Sequence, residues 1–284
     1  MERDDSLKQM KNNPTYGASV PAHLRFIAGN CAVIHHESYS NYYHWLIDYV
    51  PRIYPLQEYG EPINLLIPDT LPPKHLHILK LCLPSNLTLV TLSLHLHRWV
   101  QVEKLIHVPR MTRGHFPVMP AQYLSEHIRS ILNAMNLPLD HERKHNIFIA
   151  RRVKRRRLLN EPDVRKLLAR YDFTAYELED MSFEEQVRLF HSANVIFAAH
   201  GAGLANAIFS DKINVIELAN ITASPTYTLL TQMCGQRYDY ILPQERSKYD
   251  EATSRHTHLY LNNLPISVDL AQLEAVLRRT LVTS

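Results

Sequence analysis

The 284-residue sequence predicts an α/β fold built around parallel sheets. Three observations carry this. Short runs rich in Ile, Val, Leu and Phe recur at strand length, and longer segments with apolar residues at helical spacing lie between them. The two kinds alternate, which calls for crossover connections and so for parallel strands covered by helices on both faces. A hydrophobic content of 45% is enough to bury one large core or two smaller ones.

Residues 1–20 show no period and read as a lead-in without a function. Cys31–His35 suits a strand, and Asn41–Val50 switches to helical spacing, with Asn41 as its N-cap and Pro51 and Pro55 expected to kink or end it. Ile63–Ile67 is the next strand, a helix opens at Pro72 and Pro73, and apolar runs follow at Leu87–Val90 and Val100–Val108. Tyr123, Leu124, Ile128, Ile131, Leu132 and Met135 share one helical face. Leu137–His145 is polar and contains Pro138, which sets a boundary between an N-terminal domain, 1–140, and a second domain, 141–265.

The second half begins with the strand Asn146–Ala150 and the helix Glu161–Tyr171, whose second residue is Pro162. Phe173–Leu178 is a strand, Ser182 and Glu185 spell a capping box for a helix to Ser192, and Asn194–Ala199 is a strand followed by a loop and short helix. Ile213–Leu218, the helix Pro225–Met233 and the short strand Tyr238–Leu242 complete the progression. Two such halves, both Rossmann-like, predict a cleft between them. A last helix, Leu270–Leu281 within the segment 266–284, carries an apolar stripe and is expected to pack back across the first half.

Composition removes several function classes. No run of 18 uncharged apolar residues occurs, and Met1–Asp5 is too charged to open a signal peptide, so the expectation is a cytoplasmic protein with no integral membrane segment. Cys31, Cys82 and Cys234 lack CxxC spacing and read as packing residues, so neither a disulfide framework nor a metal site is expected. A net charge of +3 is too small to drive nucleic-acid binding, and the basic run Arg151–Arg157 lacks interleaved aromatics. Most of the seventeen histidines, such as His75/His77 and His95/His97, sit in leucine-rich surroundings and read as structural.

The chemistry concentrates in three places. Ala198–Asn206 puts His200, Gly201, Ala202 and Gly203 between a strand and a helix. A turn of this kind lets the backbone approach a ligand and aims helix N-terminal N–H groups at an anion such as a diphosphate. The competing reading is an ordinary tight turn. Glu217 ends the next strand at the same carboxyl edge, where a carboxylate either accepts ribose hydroxyls or is simply solvated. Arg151, Arg156 and Arg157 follow the first strand of this half, and guanidinium forks there suit the phosphates of a departing nucleoside diphosphate without a metal; a solvated basic loop is the alternative. In the first half Asn41, His44 and Asp48 share a helical face, where an imidazole beside a carboxylate can deprotonate a hydroxyl. An N-cap plus a surface pair is the plainer account. Tyr39, Tyr42, Tyr43 and Trp45 suit either sugar stacking or core packing.

These segments, Asn41–Asp48, Arg151–Glu161 and His200–Leu204, resemble in order and spacing the motifs of glycosyltransferase family 61, over roughly residues 29–245. The resemblance implies a GT-B fold and an inverting, metal-independent transferase that needs no cofactor beyond its nucleotide-sugar substrate. Its expected partners are a UDP-linked donor and a glycan acceptor, and its expected setting is bacterial capsular-type polysaccharide biosynthesis. Carried over, Arg151, Arg156 and Arg157 hold the donor diphosphate, with Asn160 and Glu161 completing that motif. His200, Gly201, Ala202 and Gly203 form the donor-binding turn, Glu217 is the acid at the nucleotide, Asn41 lies on the acceptor side, and His44 or Asp48 is the base. The alternatives are a sugar-nucleotide epimerase of the same fold, separated by its lack of need for an acceptor, and a non-catalytic sugar-nucleotide sensor or assembly subunit. No motif names an acceptor sugar or an oligomeric state.

Overall fold

The computed structural model describes residues 25–36, 38–93, 99–113, 116–139, 142, 145–152, 156–245 and 263–282. The lead-in 1–20, His95 and His97, and Val153, Lys154 and Arg155 of the basic run lie outside the described residues.

The α/β expectation holds. Strands β1 (Arg25–Ala32), β2 (Ile63–Pro68), β3 (Leu87–Leu92) and β4 (Val100–Ile106) form a sheet in the order β3-β2-β1-β4, parallel throughout. A small antiparallel pair, β5 (Thr112–Arg113) and β6 (Phe116–Pro117), follows it. A second parallel sheet is built from β7 (His145–Ala150), β8 (Phe173–Glu177), β9 (Ala193–Ala199), β10 (Asn214–Leu218) and β11 (Arg237–Ile241), in the order β11-β10-β9-β7-β8. The order reverses between β1 and β4 in the first sheet and between β7 and β9 in the second. In open parallel sheets the crevice beyond the strand ends at such a reversal is where ligands collect.

The first strand is displaced from its predicted place. It runs Arg25–Ala32 because it pairs β2 on one side and β4 on the other only up to Ala32, and its exposed start at Arg25 and Phe26 hid its period. The segment after it is also wound differently. His44–Tyr49 is a π-helix, Val50–Arg52 a 3-10 turn and α1 (Ile53–Glu58) an α-helix, so Pro51 and Pro55 accompany changes of winding rather than a stop. The helices α2 (Pro73–Cys82), α3 (Ala121–Ala134), α4 (Glu161–Ala169), α5 (Phe183–His191) and α6 (Thr226–Met233) match their sequence periods within a few residues. The Ser182 capping box is present, its hydroxyl accepting from the Glu185 N–H and the Glu185 carboxylate accepting from the Ser182 N–H.

One buried cluster joins both sheets: Trp45, Ile47 and Ile67 pack in it together with Ile149, Ile196 and Leu204. Trp45 is therefore core. Its indole donates to the His75 carbonyl at 2.8 Å and its ring stacks on the His75 ring. The other face of the second sheet, with Phe148, Val195, Phe197 and Ile216, is covered by α4 and by α7 (Leu270–Val282). Here the expected return of the last helix across the first half is corrected. Its stripe Leu273, Val276 and Leu277 meets Val164, Leu167 and Leu168, and Glu274 pairs with Arg170 while Arg279 pairs with Asp239. Cys31 and Cys82 are buried thiols and Cys234 is partly buried. Among the described residues no helix is long and apolar enough to cross a membrane.

Candidate functional site

The second sheet's reversal point lies between β7 and β9, and each strand delivers one motif to it. β7 ends at Ala150 and hands on Arg151, whereas β9 ends at Ala199 and hands on His200, Gly201 and Ala202. The His200 carbonyl accepts from Arg151 Nη1 at 2.8 Å and from Arg156 Nη1 at 2.9 Å, so two cations converge on one turn. Arg156 reaches it from a left-handed backbone, φ 55°. Burial, reinforced by the neighbouring Arg156 charge, pushes the Arg151 guanidinium down to about 10. Among the described residues no carboxylate stands within ion-pair distance of Arg151.

The glycines leave room for these contacts. A Cβ on Gly201 would sit 2.8 Å from Arg151 Nη1, and one on Gly203 would sit 2.6 Å from Leu178 Cδ1. The helix that follows, Ala202–Phe209, is 3-10 and not α, and its entry is fixed by the Tyr227 hydroxyl donating to the Gly201 carbonyl at 2.5 Å. Burial holds the Tyr227 phenol far above its ordinary value, so it stays a neutral donor.

His200 is held from behind. Its Nδ1 meets a carboxylate oxygen of Glu217, whose other oxygen accepts from the Tyr238 hydroxyl at 2.5 Å. With Nδ1 donating to that carboxylate, Nε2 is left for the cavity side. Glu217 is fully buried with both oxygens engaged. It stands at the strand end expected for it, with its side chain turned inward against His200 and Tyr238.

Two cavities meet at the shared Gly201–Ala202 turn. One, about 350 Å³, is lined by Tyr42, Lys74 and His75 from the first half and by Arg151, Glu179 and Gly203 from the second. The other, about 230 Å³, brings Asn41 and His44 opposite Arg156, His200, Asn220 and Tyr227. The halves are fastened around them by Tyr42 donating to Asn206, by Lys74 donating to the Met181 carbonyl at 3.0 Å and by the edge contact of Tyr43 with Tyr227. Burial lowers the pKa of Lys74.

The remaining candidates separate. Asn41 is the N-cap expected, its Oδ1 accepting from the His44 N–H at 3.3 Å. His44 reaches the second cavity, but Asp48 does not. The carboxylate of Asp48 is 1% exposed, paired with Arg52 at 2.7 Å and accepting from the Met111 N–H at 2.8 Å. The α-helical spacing that aligned the three residues does not apply across a stretch wound i→i+5. Arg157 is exposed and lines neither cavity. Asn160 is spent on bracing the C-terminal segment through the Val268 carbonyl and N–H, and Glu161 on an ion pair with Arg165.

Sequence reasoning missed Tyr227, Tyr238, Lys74 and Asn220, which no motif or spacing connects with the turn. Among the described residues no group of three or more His, Cys, Asp or Glu side chains is placed to hold a metal ion. No curated protein matches the chain. A family model described as Glycosyltransferase 61 matches residues 42–216, a span that includes the Asn41 helix from its second residue, the arginine run and the His200 turn. Since that match covers more than half of the sequence, the chain belongs to glycosyltransferase family 61.

Proposed function

We propose that this protein is an inverting, metal-independent transferase of the GT-B type, with two Rossmann-like domains, 1–140 and 141–265, and the active-site cleft between them. It moves a sugar from a UDP-linked donor to a hydroxyl of a glycan acceptor, in cytoplasmic polysaccharide biosynthesis of the capsular type. The observation that carries the reading is the convergence of Arg151 and Arg156 on the His200 carbonyl, at a sheet reversal point, with no carboxylate in ion-pair reach of Arg151 among the described residues. Partly buried positive charge of this kind is costly until an anion arrives, and a diphosphate matches two adjacent guanidinium forks.

In the reaction the acceptor oxygen attacks the anomeric carbon as the bond from that carbon to the diphosphate oxygen breaks on the opposite face. The acceptor proton passes to His44, which faces the second cavity. Asp48, held by Arg52 and the Met111 N–H, steadies the helix that carries His44 and is not the base in this reading. Negative charge grows on the leaving diphosphate, where Arg151 and Arg156 compensate it, and His200, oriented by Glu217, accepts at the cavity through Nε2. The cleft walls from both halves keep water from the donor.

The test is calorimetric titration of nucleoside diphosphates and nucleotide sugars in EDTA, on wild type and Arg151→Ala. One base series binds wild type, and its affinity drops at least about tenfold in the variant, the worth of about 1.4 kcal/mol. Absence of binding by every nucleotide overturns the reading. Binding that persists without transfer to any glycan moves the protein to a sugar-nucleotide sensor or assembly subunit.

A further inference from the structure

The first sheet has a reversal point of its own, between β1 and β4, and the loops beyond those two strands carry an arginine and several aromatic rings. Past β1 come His35 and His36, and past β4 come His107 and Arg110, both exposed. Arg110 Nη2 lies 3.3 Å from His36 Nδ1. The His36 ring packs edge-on against Tyr49 at 4.8 Å, and Tyr49 lies stacked on His44 at 6.2 Å. Arg52 covers the Tyr49 ring at 5.2 Å, its charge already answered by Asp48. Arg110 has no such answer: among the described residues no carboxylate is within ion-pair distance of it. The crevice thus carries one unanswered cation, Arg110, beside the packed rings of His36, Tyr49 and His44.

A groove of about 420 Å³ opens at the same arginine. Its walls are mostly apolar, among them Pro55, Leu56, Tyr59, Val108, Met111 and Val118, and Arg110 supplies the cation of its lining, with His107 beside it. Val118 and Tyr59 are exposed there, at 56% and 38%. An apolar channel with a cation at one end matches one kind of molecule, an anion carrying an apolar chain.

We propose that this crevice and groove form an acceptor subsite for a glycan borne on an apolar phosphate or diphosphate carrier. The phosphate is held by Arg110 and the apolar chain lies in the groove. The assignment rests on the transferase reading for its role, and its binding test does not depend on that reading.

Geranyl diphosphate, inorganic diphosphate and geraniol are titrated into Arg151→Ala, in which the second sheet's anion site is disabled. Further titrations use that variant combined with Arg110→Ala or with Val118→Glu, two exposed positions at which folding is checked by thermal melting. The expected result is geranyl diphosphate binding at least tenfold more tightly than either fragment, with a loss of at least tenfold on each added substitution. Equal affinity for inorganic diphosphate, binding insensitive to both substitutions, or no binding overturns the subsite. A protein that binds geranyl diphosphate this way but no nucleotide in the wild type keeps the subsite and loses the transferase reading; the reverse pattern does the opposite.

Discussion

At the scale of single residues the His200 turn makes a sharp prediction. In Gly201→Ala the new Cβ would stand 2.8 Å from Arg151 Nη1, the far end of a flexible side chain, so the guanidinium moves and the backbone stays. Stability should then change by less than about 1 kcal/mol, whereas nucleotide affinity should fall about tenfold or more because one of the two forks leaves the His200 carbonyl. Thermal melting beside calorimetry checks this, and a variant that melts far lower while keeping its affinity would refute the assigned geometry. The arginines and the glycine turn were legible in the sequence because each follows directly from a strand end, a local relation. Tyr238 was not, since it reaches Glu217 from the neighbouring strand, and only pairing of β10 with β11 brings the two together. Asp48 misled for a related reason: its partners Arg52 and Met111 decide where it points, and Met111 lies far along the chain.

Among the elements, α5 lies beside the turn, with Gln186 donating to the Leu178 carbonyl at 2.7 Å and accepting from Asn206 at 2.9 Å. Its start depends on the Ser182 and Glu185 pair, so Ser182→Ala should cost about 1 kcal/mol of stability. Urea unfolding would register that loss as a lower midpoint with an unchanged slope, and no loss would mean the cap is redundant with packing of Phe183, Val187 and Phe190. The strands of the second sheet were the most readable elements, because burial on both faces makes each a continuous apolar run. The winding of His44–Tyr49 was not readable: α and π turns put similar residues on the buried side over so short a stretch. The stripe of α7 announced that it packs, but not against what, and its true partners emerge only from the charge pairs of Glu274 and Arg279.

Across the whole molecule the shared core has buried histidines that fold in their neutral form, and this dictates how the protein meets acid. Burial drives the His127 imidazole down to about 3 and, aided by the charges of His36 and Arg52, drives His35 down to about 4. Released into the unfolded chain each titrates near about 6.5. Between those values the unfolded state binds more protons, so stability is fully present above about pH 6.5 and falls as pH drops toward 3, by up to about 1.4 kcal/mol per pH unit for each site. Chemical denaturation at pH 7, 6 and 5 should show this slope, and His127→Gln, which keeps a neutral polar group opposite the Tyr54 hydroxyl, should lessen it by one proton's worth. An identical slope in the variant would mean that His127 is not the responsible group. The effect is directed as well as general: His127 on α3 contacts Tyr54 in α1, one 3-10 turn after the π-helix that carries His44. Protonating it strains the support of the helix that carries His44 from behind, whereas Arg151 and Arg156 keep their charge throughout this range. On the proposed reading acid should therefore weaken acceptor binding by the first half before nucleotide binding by the second, and parallel titrations of the two ligands between pH 7 and 5 would expose that order.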